Sequence, residues 1–211
     1  SHPTIGLVGG GADIIDVNGN IVGSRSIRTK NPRRTLQHRC IYQQSDVMFR
    51  LDLVRQLGGY REKFRNAQDY DLWLRISEVA DIAKLDMTLG KWRLNGGGYS
   101  LSRSKEQRAE AKTIKAFARQ RHVSGADLYE SYAPPPVVQH RRNISTNNYD
   151  FLVGSILLQS NRPAEARHKI GKLLHANRSL KGLALYALTF APKYFLALVF
   201  DVRDAYLSNW G

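Results

Sequence analysis

The pattern of apolar and polar positions in the first hundred residues predicts short strands joined by turns. Ile5–Val8 is an apolar run that predicts a buried strand, and the three glycines after it are expected to end that strand. Asn18-Gly19 separates two β-rich arms and predicts a hairpin with a type I′ turn, in which both central residues have positive φ. Further strands are predicted at 42–50, 81–86 and 88–94.

Helical patterns and glycine-rich stretches lie between these strands. Residues 51–59 predict a short helix that glycine closes, and residues 69–80 predict a second helix with one apolar side. Residues 24–39 are basic and are expected to form a loop. The glycines at 96–98 predict a flexible loop that could cover a site.

The pattern becomes helical at Ser104. Ser104 and Gln107 have the spacing of a capping box and predict the start of a basic helix that runs to about Arg121. Two helices are then predicted at 147–160 and 163–176, a pair that is similar to one tetratricopeptide unit. The apolar stripe of the second helix consists of Ala166, Ile170, Leu173 and Leu174.

These patterns divide the chain into a mixed α/β part at 1–103 and a helical part at 104–211. The segment 180–207 is strongly apolar, but Pro192-Lys193 interrupts it, so neither half reaches the ~20 residues that span a bilayer. Two interpretations remain open, buried packing in a helical subdomain and an anchor at the membrane surface. In the second, the residues that would face lipid headgroups are Arg178, Lys181, Lys193 and Arg203.

Composition and charge narrow the range of partners. The 211-residue chain has a formal net charge of +14 and a pI of about 10.1, which suits nucleic acid, an anionic membrane or a phosphate-bearing substrate. Nucleic acid is the least expected partner, because no zinc-finger, RNP-type or basic-zipper pattern occurs.

Cys40 is the single cysteine, which excludes an intramolecular disulfide and favours a reducing compartment. A strand lies close to Ser1 with no signal-peptide pattern before it, so we expect a piece of a longer, cytoplasmic protein.

Two aspartates lie at the start of the predicted helix 69–80, in a chain with 18 acidic residues against 32 basic ones. Residues two apart are separated by about 200° around a helix, so Asp69 and Asp71 cannot share a face. Arg75 follows Asp71 by four residues, a spacing that favours an ion pair. Asp69 has two alternatives: it can cap free N–H groups, or it can act as a general base.

Several short motifs follow one another in order between residues 1 and 103. They are Phe49-Arg50, Gly58-Gly59-Tyr60, Gln68-Asp69-Tyr70-Asp71-Leu72-Trp73-Leu74-Arg75, Leu85-Asp86, Trp92-Arg93, and Ser100 with Ser102. In this order they resemble the acceptor-side half of family-2 glycosyltransferases of the GT-A fold. The resemblance implies a partial, Rossmann-like α/β sheet domain that lacks its N-terminal nucleotide-binding half, followed by an α-helical region.

The resemblance also implies an activity and roles for residues. The enzymes transfer a sugar, with inversion, from a nucleotide-sugar donor to an acceptor hydroxyl, here in cell-surface polysaccharide or glycolipid synthesis. Asp69 matches the general base that removes the acceptor's proton. The supporting residues are Gln68, Asp71, Arg75, Trp92 and Arg93. For Trp92 a place in the core is the alternative to stacking on sugar, and for Arg93 a surface position is the alternative to binding a diphosphate.

A divalent metal, Mg²⁺ or Mn²⁺, is implied for the intact enzyme, with ligands outside this chain. We assign no metal ligand within it, because the six histidines show no ligand spacing. The implied partners are the nucleotide-sugar donor and a glycan or lipid-linked acceptor, and peripheral contact with the inner face of the membrane would suit the latter. The alternative function is a non-catalytic interaction module derived from a glycosyltransferase.

Overall fold

The computed structural model describes residues 2–95, 103–136, 146–176, 180–196 and 199. This part of the chain is mixed α/β, as predicted, with a four-stranded sheet and helices packed against it. Several predictions lie outside the described residues, namely those for the loop at 96–98, Ser100, Ser102, Arg178 and Arg203.

The sheet forms around one long central strand. Strand β1 (Ile5–Ile15) pairs in parallel with β4 (Asp81–Arg93) along one edge. Along its other edge β1 pairs antiparallel with β3 (Val47–Phe49) and then with β2 (Ile21–Arg25). The sheet is therefore mixed, and its central strand has neighbours on both edges for most of its length.

Glycines 9–11 lie inside β1, so the prediction that they end the strand is wrong. A Cβ atom on Gly9 would lie 2.6 Å from Cδ1 of Tyr42, and one on Gly10 would lie 2.5 Å from Cγ of Leu89. Glycine is required here because neighbouring side chains approach the strand closely, and not because the chain turns.

The hairpin at Asn18-Gly19 is confirmed, whereas its predicted turn type is wrong. Gly19 has a φ of 90°, but Asn18 does not have a positive φ, as a type I′ turn would require. The carboxylate of Asp16 accepts hydrogen bonds from the N–H groups of Asn18 and Asn20, both at 2.9 Å. A side-chain acceptor therefore stabilises this turn, and glycine occupies its one left-handed position.

Residues 81–93 form a single strand, β4, where two strands were predicted. Gly9 of β1 pairs with Lys84, and Gly11 pairs with Thr88, so four steps along β4 match two steps along β1. This bulge interrupts the period-two alternation of side chains. The interruption is the reason that the sequence pattern indicates two strands.

The described helices are α1 (Pro32–His38), α2 (Leu51–Gln56), α3 (Gln68–Val79), α4 (Ser104–Ser124), α5 (Thr146–Gln159), α6 (Pro163–Ala176) and α7 (Leu180–Leu188). The predictions of α3, α5 and α6 are confirmed to within one residue at each end. Helix α2 ends at Gln56, before Gly58 and Gly59, which both have positive φ and close the helix as predicted.

Two predictions about helix starts are wrong. Helix α1 lies in the segment predicted to be a loop, where Asn31 caps it by accepting the N–H of Arg34 at 2.9 Å. The capping box at Ser104 does not form, because the N-cap of α4 is Arg103 and makes no side-chain capping bond. The side chain of Gln107 instead donates to the carbonyl of Asn66 at 3.1 Å.

Two hydrophobic clusters hold the described elements together. The first joins the sheet, α3 and α4 and includes Leu7, Trp73 and Ile114. Helix α4 thus packs against the α/β part, although the predicted boundary at residue 103 separates them. The second cluster joins β1, β2 and the helices α5–α7 and includes Ile14 and Ile170. Among the described helices, none combines the length and apolarity needed to cross a membrane.

Candidate functional site

The first turn of α3 carries the predicted site, and the segment just before this helix is bound by a side chain of another helix. The N-cap residue Ala67 makes no side-chain capping bond. Glu110 of α4 accepts the N–H groups of Arg65, Asn66 and Ala67 at 2.9, 2.6 and 2.6 Å. Since the Glu110 side chain is buried, these charge-assisted hydrogen bonds are shielded from water. Glu110 therefore fixes the segment that leads into α3.

Asp69 is the second residue of α3, and its carboxylate accepts backbone N–H groups of the first turn, as the capping alternative expects. Its Oδ1 atom accepts the N–H of Tyr70 at 2.8 Å. No other described residue donates a hydrogen bond to Oδ2, and Asp69 is partly exposed. An oxygen atom with these properties is able to accept a proton from a bound molecule.

The surroundings of Asp69 make it a stronger base than an ordinary aspartate. Burial raises the pKa of the Asp69 carboxyl, and the negative charge of Glu110 acts in the same direction. The N–H of Tyr70 and the positive charge of Arg25 lower this pKa and only partly offset the burial. A raised pKa brings a carboxylate closer to the range in which general bases operate.

Arg25 is close to another predicted residue, Trp92, and its charge acts on Asp69. It is the last residue of β2, and its guanidinium lies 6.0 Å from the centre of the Trp92 ring. Trp92 is partly buried and packs against the second cluster. Burial and the charge of Asp69 raise the pKa of the Cys40 thiol to about 12. Arg25 thus pairs with the aromatic ring by contact and with the carboxyl group by its charge.

Asp71 and Arg75 form a buried ion pair inside the fold. Oδ2 of Asp71 accepts from Nε of Arg75 at 2.8 Å, and Asp71 is completely buried. The other guanidinium nitrogens of Arg75 donate to the carbonyls of Leu57 and Gly59 at 2.7 Å each. The pair therefore fastens the turn after α2 to α3. The expected ion pair is present, and it gives both residues a structural role inside the fold.

The remaining two predicted residues lie in different surroundings. Gln68 is the first residue of α3, and its Oε1 atom is buried without a hydrogen-bond partner. Arg93 is exposed at the end of β4 and donates to the carbonyls of Asp16 and Val17 at 3.1 Å each. Arg93 therefore fastens the β1–β2 hairpin, which agrees with the alternative of a surface arginine.

A cleft of about 490 Å³ lies at the opposite end of α3. Its lining includes Arg33, Arg50, Val79 and Asp81, but not Asp69. Arg33 donates to the Ala80 carbonyl at 3.0 Å, so this guanidinium already has a structural role. The cleft therefore does not extend the site around Asp69.

No group of three or more His, Cys, Asp or Glu side chains is placed to hold a metal ion in the part of the chain that the structure describes. The donor set available there does not fit a divalent metal. No chemical step is therefore assigned to a metal on these residues.

Two residues of the site were missed in the sequence analysis. Arg25 was noted only as part of a basic segment, and Glu110 only as part of a basic helix. Their importance depends on contacts with residues more than forty positions away, which periodicity and motif spacing do not reveal. A single buried acid in a helix as basic as α4 is the one local signal that could have drawn attention to Glu110.

No protein-family model matches the chain, and no curated protein matches it.

Proposed function

We propose that this chain is the acceptor-side half of an inverting, family-2-like glycosyltransferase with a partial GT-A fold, and that Asp69 is its general base. The order of the motifs in residues 1–103 suggests this family. The observation that carries the proposal is the position of Asp69: it is partly exposed at the start of α3, no other described residue donates to its Oδ2 atom, and burial raises the pKa of its carboxyl.

The proposed reaction is a displacement at the anomeric carbon of the donor sugar. The acceptor hydroxyl oxygen forms a bond to that carbon, and the bond from the carbon to the diphosphate oxygen breaks. The hydroxyl proton passes to Asp69, and the bonding electron pair leaves with the nucleoside diphosphate. Attack opposite to the leaving group gives inversion of configuration.

Arg25 and Trp92 have roles that follow from their positions. The positive charge of the Arg25 guanidinium lowers the pKa of Asp69 and so favours the ionised form that can accept a proton. Trp92 offers a partly buried ring beside Arg25, a surface suited to the apolar side of a sugar. The divalent metal expected for the intact enzyme would hold the leaving diphosphate with ligands outside the described residues.

The test is sugar transfer by the full-length gene product with the substitution Asp69→Asn. The variant keeps the shape of the side chain but cannot accept the proton, so we expect kcat to fall by about 10²–10⁴-fold. Binding of the nucleotide-sugar donor should stay within about twofold of the unchanged protein. Initial rates and donor titrations over a panel of nucleotide sugars measure both quantities.

Asp52→Asn is the matched control. Asp52 is an exposed acid in the first turn of α2, so the control removes the same charge from the same kind of position. Its transfer rate should be unchanged. Near-normal turnover by Asp69→Asn would refute the assignment, and a full-length protein that transfers no sugar would favour the alternative of a non-catalytic interaction module.

A further inference from the structure

Helix α7 is apolar on two opposite sides. One side packs into the second hydrophobic cluster through Gly182 and Leu185, which are both buried. The other side carries Leu180, Leu183, Ala184 and Ala187, which are all exposed and follow the i, i+3, i+4, i+7 spacing of a single helix face. Buried packing, the first interpretation of this segment, therefore describes one side of α7. The opposite side is the one to which the second interpretation, an anchor at the membrane surface, can apply.

The exposed side continues into aromatic residues after the helix. Phe190 contacts the ring of Tyr186 of α7 at 5.6 Å between ring centres. Residues 193–196 are helical again, and there Leu196 is buried in the second cluster, while Tyr194 and Phe195 stay exposed. We call this surface the α7 patch, and its large side chains are Leu180 (86% exposed), Leu183 (50%), Phe190 (62%), Tyr194 (79%) and Phe195 (44%).

Basic residues accompany the α7 patch along the sequence, and acidic ones are absent from the same stretch. Residues 166–196 contain no Asp or Glu. They contain Arg167, Lys169, Lys172, Arg178, Lys181 and Lys193. Lys181 and Lys193 are exposed in the same segment as the large apolar side chains. An exposed apolar surface with aromatic residues and exposed lysines complements the headgroup region of an anionic membrane.

We infer that the α7 patch docks this protein on an anionic lipid bilayer, with α7 lying in the plane of the interface. A second copy of the chain fits this surface poorly. A symmetric contact would bring Lys181 and Lys193 of both copies together, and residues 166–196 supply no carboxylate to pair with them. This inference does not depend on the proposed catalytic function.

Vesicle flotation with the full chain tests the inference. We expect binding to vesicles that contain phosphatidylglycerol, weaker binding to pure phosphatidylcholine, and loss of binding as salt is raised. The double substitution Leu180→Ser with Leu183→Ser should lower the partition coefficient at least about tenfold, because leucine burial drives insertion. Lys181→Gln with Lys193→Gln should lower it roughly tenfold on the anionic vesicles only.

Val123→Ser is the control for the apolar substitutions. Val123 is 86% exposed, as Leu180 is, but lies near the end of α4 and away from the patch. Its partition coefficient should equal that of the unchanged chain. Circular dichroism of every variant checks that the helices remain, and the single substitution Leu180→Ser serves if the double variant does not fold.

A fluorescent label at position 194 gives a local readout. The raised pKa of Cys40 keeps that thiol protonated and slow to react, so an added cysteine can be labelled selectively. The fluorescence emission of a label on Tyr194→Cys should shift to shorter wavelength on anionic vesicles, whereas the emission of a label on Val123→Cys should not.

The inference is overturned if the chain binds neither vesicle type, if Leu180→Ser with Leu183→Ser binds as the unchanged chain does, or if Val123→Ser loses as much binding. Self-association that this double substitution abolishes, in the absence of vesicle binding, would also overturn it and identify a second copy as the occupant.

Discussion

At the scale of single residues, two aspartates of one helix differ in their ionic partners. Asp71 is completely buried and faces three guanidiniums, those of Arg75 at 2.8 Å, Arg61 at 3.7 Å and Arg121 at 4.0 Å. Burial raises the pKa of both carboxyls, and at Asp71 it outweighs the nearby positive charges. The difference lies in what removal of the charge would leave behind: at Asp71 it would leave the buried guanidinium of Arg75 unpaired.

The substitution Asp69→Asn should stabilise this chain at neutral pH. Because the folded-state pKa of Asp69 lies above its unfolded value, the carboxyl costs no stability at acidic pH and destabilises the fold as pH rises through the folded pKa. The gain should therefore vanish below the unfolded pKa. Urea unfolding at neutral pH and at about pH 3 measures both effects. A loss of stability at neutral pH would contradict the burial argument.

The same change at Asp71 should have the opposite sign. Asp71→Asn removes the carboxylate and leaves Arg75 buried with an uncompensated charge, so we expect a loss of about 3–5 kcal/mol in the free energy of unfolding. Urea unfolding of the two variants side by side makes each the control for the other. If both substitutions changed the free energy of unfolding equally, the loss of a negative charge at the start of α3, and not the surroundings of each aspartate, would determine stability.

The positive charge of Arg25 should lower the pKa of Asp69. Arg25→Gln removes a positive charge that lowers the pKa of Asp69, so that pKa should rise further and Asp69 should ionise at higher pH. Carboxyl-carbon NMR of the chain measures the titration directly and requires no activity. Arg93→Gln is the control, since Arg93 binds the hairpin carbonyls, and it should leave the titration unchanged. An unchanged pKa in Arg25→Gln would refute the coupling.

At the scale of elements, helix α4 determines the start of helix α3. Glu110 accepts three backbone N–H groups ahead of α3, and Arg121, near the other end of α4, pairs with Glu78 at 2.7 Å. The two helices are thus joined near both ends of α3.

Loss of the Glu110 carboxylate should loosen the first turn of α3. Glu110→Ala leaves buried N–H groups without an acceptor, and we expect a loss of about 1–3 kcal/mol in the free energy of unfolding. Amide hydrogen exchange should become faster at Asn66 and Ala67 than at the end of α3. Glu62→Ala, at an exposed acid, should change stability by less than about 0.5 kcal/mol. Unchanged exchange at the start of α3 would show that the cap is not needed.

At the scale of the whole molecule, the helix pair docks on the sheet through a glycine. A Cβ atom on Gly23 of β2 would lie 2.6 Å from Cγ2 of Ile156 and 2.8 Å from Oγ of Ser160. The hydroxyl of Tyr149 also accepts the N–H of Val17 in the hairpin at 3.2 Å. Contact between α5 and β2 therefore depends on the absence of a side chain at residue 23.

Gly23→Ala should force α5 away from β2. Overpacking of this kind costs about 1–3 kcal/mol, and Ile156→Ala in the same chain should recover part of the loss, because it removes the clashing methyl group. Gly171→Ala, in helix α6, is the control. Its Cβ would lie 3.7 Å from the ring of Tyr186 in α7, which is an ordinary van der Waals distance. It should be neutral or stabilising. If the effects of Gly23→Ala and Ile156→Ala on the free energy of unfolding simply add in the double variant, direct contact between these two positions is excluded.

Local patterns along the sequence were sufficient for several elements. The bounds of α3, α5 and α6 follow from helical periodicity, because each of these helices buries one continuous apolar stripe. The hairpin and the end of α2 follow from glycines at positions that require positive φ. The ion pair of Asp71 with Arg75 follows from their spacing of four residues, since its geometry is local to one helix turn.

Only the tertiary structure decided the rest. Glycines 9–11 suggest a break in sequence, and they are part of a strand because Tyr42 and Leu89 pack against its backbone. Asp69 has the sequence position of a cap and accepts an N–H of the first turn, whereas the segment ahead of the helix is held by Glu110, forty-one residues later. The outer side of α7 is apolar in sequence just as the inner side is, and only its packing shows which side is exposed. In each case the deciding contact joins residues far apart along the chain, and short-range periodicity carries no information about such contacts.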